Sequence, residues 1–180
     1  TDDEHPCQVL ADLMTIREKK LILDGLKVAY IGDGNNMCNS LLVACLTLGI
    51  NVFIANPSDY KPPAYYINKG HELANKNGVS FFMTTSPEEA VKDVDVIVTD
   101  VWASMGQEEC DKRRIDFDGY QVNKKLLTLA KEDTIVLHCL PAHRGEEITN
   151  EILEAHADTI FEEAENRLHA QKAVLVKLLK

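Results

Sequence analysis

"LKVAYIGDGNNMCNSLLVACLTLG", residues 26–49, is the stretch whose reading decides the fold. Its first part is a short apolar run without strict alternation that ends in glycines, the pattern of a buried strand running into a turn. "SLLVACLTLG" then places apolar residues at helical spacing, and Gly49 closes the run. The same strand-then-helix order recurs downstream. "NVFIA" (51–55) reads as a second strand, Pro57 to Pro63 as a loop, and "AYYINKGHELANKNG" (64–78) as a helix with a glycine stop. "VSFFM" is a third strand, a short helix starts at Ser86-Pro87, and "VDVIVTD" is a fourth strand.

A helix in "QVNKKLLTLA" precedes a fifth strand, "DTIVLH". Upstream of the first strand an amphipathic helix is expected at Gln8 to Glu18. The tail reads as a helix from near Thr149, an apolar step at "TIF", and a final helix from about Asn166 to Lys180. Short apolar strands alternating with helices specify an α/β fold: a three-layer αβα sandwich with a central, mostly parallel sheet, Rossmann-like, joined by right-handed crossovers. Ligands of such sheets gather beyond the carboxyl ends of the strands. Gly32 to Asn36, Asp100 to Gly106 and Cys139 to Arg144 all follow strands and are therefore expected on one rim.

Composition narrows the function. With 29 acidic against 19 basic residues the formal charge is -10, which argues against a nucleic-acid surface. The apolar runs are too short to span a bilayer and the acidic start is unlike a signal peptide. Five cysteines, an odd number with no CxxC pair, fit a reducing cytoplasm better than a disulfide framework. Thr1 stands where an initiator methionine would, and a polar motif follows almost at once, so a piece of a longer chain is expected.

Each polar cluster has more than one reading. "GDGNN" after the first strand lacks the GxGxxG order, and "IANPSD" puts no acidic residue at the tip of the second strand, which disfavours dinucleotide binding. Asn35, Asn36 or Asn39 can cap the next helix, whereas the Asn36 amide can also donate and accept towards an amino-acid zwitterion. In "TDVWASMGQEE", Asp100 offers a carboxylate to an amine or forms an Asx turn. Ser104 and Met105 are ambiguous between ligand contact and packing, and Gly106 would let a loop close. In "HCLPAHRGEE", adjacent His138 and Cys139 leave a strand in divergent directions, which makes a metal site a poor fit. A thiol nucleophile with His143 as base stays open beside a buried, satisfied His138. In "HPCQ", His5 and Gln8 can face one ligand, or cap a helix and meet solvent. In "FEEAENRLHAQKA", Arg167 can join a surface ion-pair network or grip a phosphate.

Together "HPCQ", "GDGNNM", "DVWASMGQEE", "HCLPAHRGEE" and "EAENRLHAQKA" resemble, in this order, the second half of the ornithine carbamoyltransferases, over Thr1 to Lys180. "SMGQE" with "HCLP" points to the ornithine rather than the aspartate members. The resemblance implies transfer of a carbamoyl group from carbamoyl phosphate to L-ornithine, giving citrulline and phosphate without metal or cofactor; a related amine such as putrescine is the lesser alternative. It implies that Asn36, Asp100, Ser104, Met105, Cys139 and Leu140 meet ornithine, and that His5, Gln8, Cys139, Leu140 and Arg167 meet carbamoyl phosphate. Asp100, Cys139, Arg167 and His5 would be the catalytic set.

It further implies a junction helix over 1–20, an ornithine-binding domain over 21–163, and a helix over 164–180 that returns to an N-terminal domain. That domain's phosphate-gripping "STRT" type motif does not occur in these residues. The family's trimers, or higher assemblies, share sites between subunits. The chain alone is accordingly expected to bind ornithine at most, with negligible turnover, and its last helix to leave Leu175, Val176, Leu178 and Leu179 exposed or folded onto another surface.

Overall fold

The computed structural model describes residues 1–103 and 110–180. Five strands, β1 (Lys27–Ile31), β2 (Asn51–Ala55), β3 (Phe81–Thr84), β4 (Val96–Thr99) and β5 (Ile135–His138), form one sheet in the order β3-β2-β1-β4-β5. Every pairing is parallel, from Lys27 opposite Asn51 to Thr99 opposite His138. The helices are α1 (Pro6–Lys20), α2 (Asn36–Thr47), α3 (Ala64–Asn77), α4 (Pro87–Ala90), α5 (Cys110–Asp116), α6 (Lys124–Leu127), α7 (Asn150–Ala155) and α8 (Ala157–Leu178).

The pleat sends alternate residues to opposite faces, and each face has its own core. Val28, Tyr30, Val52, Ile54, Val96, Val98 and Leu137 pack with residues of α1, α2 and α3. Ala29, Ile31, Ala55, Ile97 and Val136 pack with α4, Phe117, Tyr120, Leu126 and Ile152 on the other face. A sheet buried on both faces explains why its strands read as unbroken apolar runs. The result is the expected three-layer α/β sandwich. None of the helices among the described residues is long and apolar enough to cross a membrane.

Local chemistry sets the element ends. Asn35 caps α2, its Oδ1 accepting from the backbone N–H groups of Met37 and Cys38 at 3.0 and 3.1 Å. Gly78, at φ 69°, ends α3 in the left-handed conformation that glycine adopts without strain. Ser86 caps α4 with Pro87 in its first turn.

Three elements differ from the sequence expectation. The first helix is longer, running from Pro6 to Lys20, and His5 before it makes no side-chain cap bond. α6 is a single turn, because Lys131 N–H donates to Val94 O and draws the chain back to the sheet. "TIF" is no break: α8 runs unbroken through it, with Ile160 buried and Phe161 exposed, as two neighbouring positions of an amphipathic helix must be. The final helix therefore starts at Ala157 rather than near Asn166, and the boundary expected at 163/164 falls inside it. α8 packs along α1 and against β5, and its last turns leave Leu175, Val176 and Leu178 exposed, with Leu179 just beyond.

The loop after β1 is pinned by a backbone approach. A Cβ added at Gly34 would stand 2.2 Å from Pro62 N and 2.4 Å from the carbonyl carbon of Lys61. Neither atom can swing away as a side chain could. Gly34→Ala should therefore destabilise the fold by roughly 2–4 kcal/mol, read as a fall in the urea midpoint. Gly119→Ala, at φ 90° in open space, should cost only about 1 kcal/mol; equal losses would show that the contact at Gly34 is unimportant.

Candidate functional site

β1 lies between β2 and β4, so the chain reverses its direction of growth across the sheet there, and a crevice opens at the carboxyl ends of β1 and β4. Thr99 Oγ1 donates to Ile31 O at 2.8 Å and ties the two strand ends together. Asp100 follows at once and is 8% exposed. Its Oδ2 accepts from Asn35 Nδ2 at 2.8 Å. Its Oδ1 accepts from Val101 N–H at 2.8 Å and from the Cys139 thiol at 3.0 Å. The rim expected from the strand order thus exists, with the loops after β1, β4 and β5 meeting on one carboxylate.

The Cys139 thiol is pushed well above its usual range, first by burial and then by the Asp100 charge beside it. It stays protonated and donates its hydrogen, which removes the thiol-nucleophile reading. His143 does not supply a base to it: that side chain is about half exposed and lies 3.8 Å from Glu146.

His138 is buried and both ring nitrogens are occupied. Nδ1 accepts from Leu140 N–H at 2.9 Å, so the proton sits on Nε2, which donates to Glu147 Oε1 at 3.0 Å. The same Glu147 oxygen accepts from His143 N–H at 2.6 Å. This leaves His138 no lone pair for a metal. Leu140, at φ 52°, takes the left-handed conformation disfavoured for a branched side chain, and the His138 ring is what holds its N–H. Glu147, which the sequence reading passed over, anchors the whole turn.

His5 and Gln8 lie at the start of α1, with His5 N–H donating to Ser40 Oγ at 2.7 Å. Burial, and then the charges of Arg167 and the N-terminus, lower the affinity of the His5 ring for a proton, so it is a neutral imidazole at neutral pH. Gln8 is fully buried rather than solvent-exposed; its Nε2 donates to Asp12 Oδ1 and Glu163 Oε1, both at 2.9 Å. Its Oε1 is buried without a partner among the described residues. The Arg167 side chain, in the middle of α8, makes no hydrogen bond or ion pair with the described residues, so the surface network suggested by its acidic neighbours does not form among them.

Asn36 is the first residue of α2, not its cap, and its Nδ2 donates to Thr1 O at 2.7 Å. Ser104, Met105 and the Gly106 loop lie outside the described residues. Asp33 and Arg113, unmarked in the sequence reading, brace the β1 loop: Arg113 donates to Asp33 Oδ2 and to Trp102 O, both at 2.6 Å, with its guanidinium 4.8 Å from the Tyr60 ring centre. A cleft of about 470 Å³ opens between Trp102 and Arg113 on one side and His143 and Arg144 on the other. Arg144 on its wall is held by Asn150 and Glu154. His143, Glu146 and Glu147 bring one ligand atom each within 4.8 Å of one another, but Arg114 occupies Glu146 and His138 occupies Glu147.

Comparison with known proteins places this arrangement. Residues 24–178 match the family described as "Aspartate/ornithine carbamoyltransferase, Asp/Orn binding domain". The ornithine carbamoyltransferases of Anoxybacillus flavithermus and Pyrococcus horikoshii are 51% and 53% identical over 180 residues, 99% of this chain and 57% of each relative. The solved structure of the Pyrococcus furiosus enzyme superposes with a TM-score of 0.91 at 51% identity, over 97% of this chain and 56% of that one. The anabolic enzyme of Campylobacter jejuni gives 0.94 at 45% identity, over 98% and 59%. The chain spans somewhat more than half the length of these relatives, and it belongs to the aspartate/ornithine carbamoyltransferase family as an Asp/Orn binding domain.

Proposed function

We propose that this chain is the ornithine-binding portion of an ornithine carbamoyltransferase, which joins L-ornithine and carbamoyl phosphate to give L-citrulline and phosphate. The observation that carries the reading is the Asp100 carboxylate with a neutral Cys139 thiol on it, at the crevice between β1 and β4. Among the described residues Asp100 Oδ2 accepts one bond, from Asn35, which leaves it capacity for an amine N–H. The Cys139 sulfur and the Leu140 carbonyl would form the opposite wall. Asn36, Ser104 and Met105 would meet the amino-acid end of ornithine.

The chemistry is attack by a free amine. The side-chain nitrogen, with an unperturbed pKa of about 10, must lose a proton before its lone pair forms the C–N bond. As the bond to the carbonyl carbon forms, the bond from that carbon to the phosphate oxygen breaks and phosphate leaves with the electron pair. Asp100 orients the amine and takes a hydrogen bond from it while its proton departs. Negative charge building on the carbonyl oxygen meets Arg167 and the neutral His5 ring. Gln8 Oε1, an acceptor without a partner among the described residues, suits the carbamoyl NH₂. No covalent intermediate on Cys139 is needed.

In this reading the phosphate grip belongs to a domain outside residues 1–180, which α1 and α8 join to the ornithine domain, and the working unit is a trimer or higher assembly. The setting is a reducing cytoplasm, in keeping with the free thiols of Cys7, Cys38, Cys45 and Cys139. Nucleic acid and membrane take no part.

Calorimetric titration of the chain should show saturable binding of L-ornithine and none of a nicotinamide cofactor. Preference for putrescine would shift the substrate, and cofactor binding without ornithine binding would sink the proposal. Citrulline should form only when the phosphate-gripping domain is supplied. In the whole protein Asp100→Asn should lower kcat/KM about 100-fold or more, while the unfolding free energy stays within about 1.5 kcal/mol of the parent. Parallel loss of activity and stability would make Asp100 a structural residue only.

A further inference from the structure

The seam between α1 and α8 is polar where a packed helix pair is normally apolar. Gln8, Asp12 and Thr15 recur at helical spacing along one face of α1, opposite Glu163 and Asn166 of α8, and none of the five is more than 4% exposed. The outer half is mutually satisfied: Asn166 Nδ2 donates to Thr15 Oγ1 at 3.0 Å and to Glu18 Oε2 at 2.8 Å. The inner half holds two carboxyl groups bridged by one amide, Gln8 Nε2 donating 2.9 Å to each. No lysine, arginine or histidine among the described residues forms an ion pair with either acid. Two bare charges in that position would be costly, so the pair must retain a proton. Burial pushes Asp12 up to about 7 and Glu163 well up, each opposed or reinforced by the other.

Two consequences reach the reacting groups. The amide of Gln8 has one allowed orientation, since a flip would turn its oxygen onto both acids; Oε1 is thereby left as a fixed acceptor. Glu163 Oε2 also accepts from His138 N–H at 2.9 Å, immediately before Cys139 and Leu140. Arg167 stands four residues further along α8, on the same face as Glu163.

We propose that Asp12 and Glu163 are positioning residues: a proton held between them locks the Gln8 amide and the His138 backbone together, and so fixes the carbamoyl-binding groups of α1, β5 and α8 in one geometry. This rests on the carbamoyl-transfer reading of the site. The charged or titratable groups facing the pair are Arg167 on its own helix, Asp100 at the end of β4, Cys139 after β5 and Cys45 of α2, with the His138 backbone against Glu163.

The sign follows from the raised acids. Their protonated form is favoured in the fold, so stability is highest below the unfolded carboxyl value and declines as pH climbs from about 4 to about 7. In Glu163→Gln one of the two raised groups no longer titrates, so fewer protons leave the fold and the decline should flatten through pH 5–7. Asp12→Asn should flatten it as well and serves if the first variant folds poorly.

The deciding experiment measures three quantities on the full-length protein and both variants across pH 5–8: the urea midpoint, the infrared carbonyl stretch of a protonated carboxyl group, and steady-state kinetics. We expect the stretch in the parent at pH 6 and its loss or shift in Glu163→Gln. The KM for carbamoyl phosphate should rise roughly tenfold at pH 7 in that variant, with the KM for ornithine within twofold, and the parent's own carbamoyl phosphate KM should climb as the pair loses its proton. Absence of the carboxyl stretch in the parent, or variants that shift the urea profile but leave the carbamoyl phosphate KM and its pH dependence unchanged, would overturn the proposal. A parent with the stretch but no citrulline formation would instead overturn the functional reading, and the positioning role with it.

Discussion

Asp100 stands where the sheet changes its direction of growth, and its carboxylate is the point on which three separate loops agree. Asn35 reaches it while capping α2, Val101 reaches it through its own backbone, and Cys139 reaches it from the neighbouring strand. The parallel register, with Thr99 opposite both Ile31 and His138, brings these partners level. A slip in that register would carry the loops apart. The fold and the site are thus one constraint seen at two scales: strands ordered so that their ends meet, and a carboxylate that holds the ends together once met.

Around that point the protein keeps acids where charge is expensive. Glu147 holds the His138 ring and the turn after it, Glu163 holds the His138 backbone, and Asp12 shares the Gln8 amide with Glu163. A buried acid contributes little net stability compared with an apolar residue of like shape. What it supplies is direction: each oxygen accepts from a chosen donor, and the Cys139–Leu140 turn is held on two sides by groups that cannot rotate freely. The left-handed Leu140 is tolerable in that setting because its N–H has a fixed partner.

The strand order and the rim were legible in the sequence because apolar runs, glycine stops and strand-end loops follow from local chemistry. Asp100 and Cys139 were legible for the same reason, as each sits just past a strand. What stayed hidden were acids inside helices. Glu163 and Glu165 lie in one acidic stretch, and nothing local says that the first is fully buried while the second faces solvent; only the α1–α8 pairing decides it. Asn35 and Asn36 were inseparable by type, and one residue of helix phase makes the first a cap and a partner of Asp100. The expected break near "TIF" failed because a short apolar step has the same composition in a helix facing a core as in a strand.

The Cys139 hydrogen bond to Asp100 also bears on how the site ages. Electrophiles and peroxides attack the thiolate, and a thiol kept protonated by burial and by a neighbouring carboxylate offers almost none. A cysteine beside the crevice of a parallel sheet is ordinarily a weak point under oxidative stress. Here the carboxylate that accepts the thiol's hydrogen also shields it from redox chemistry.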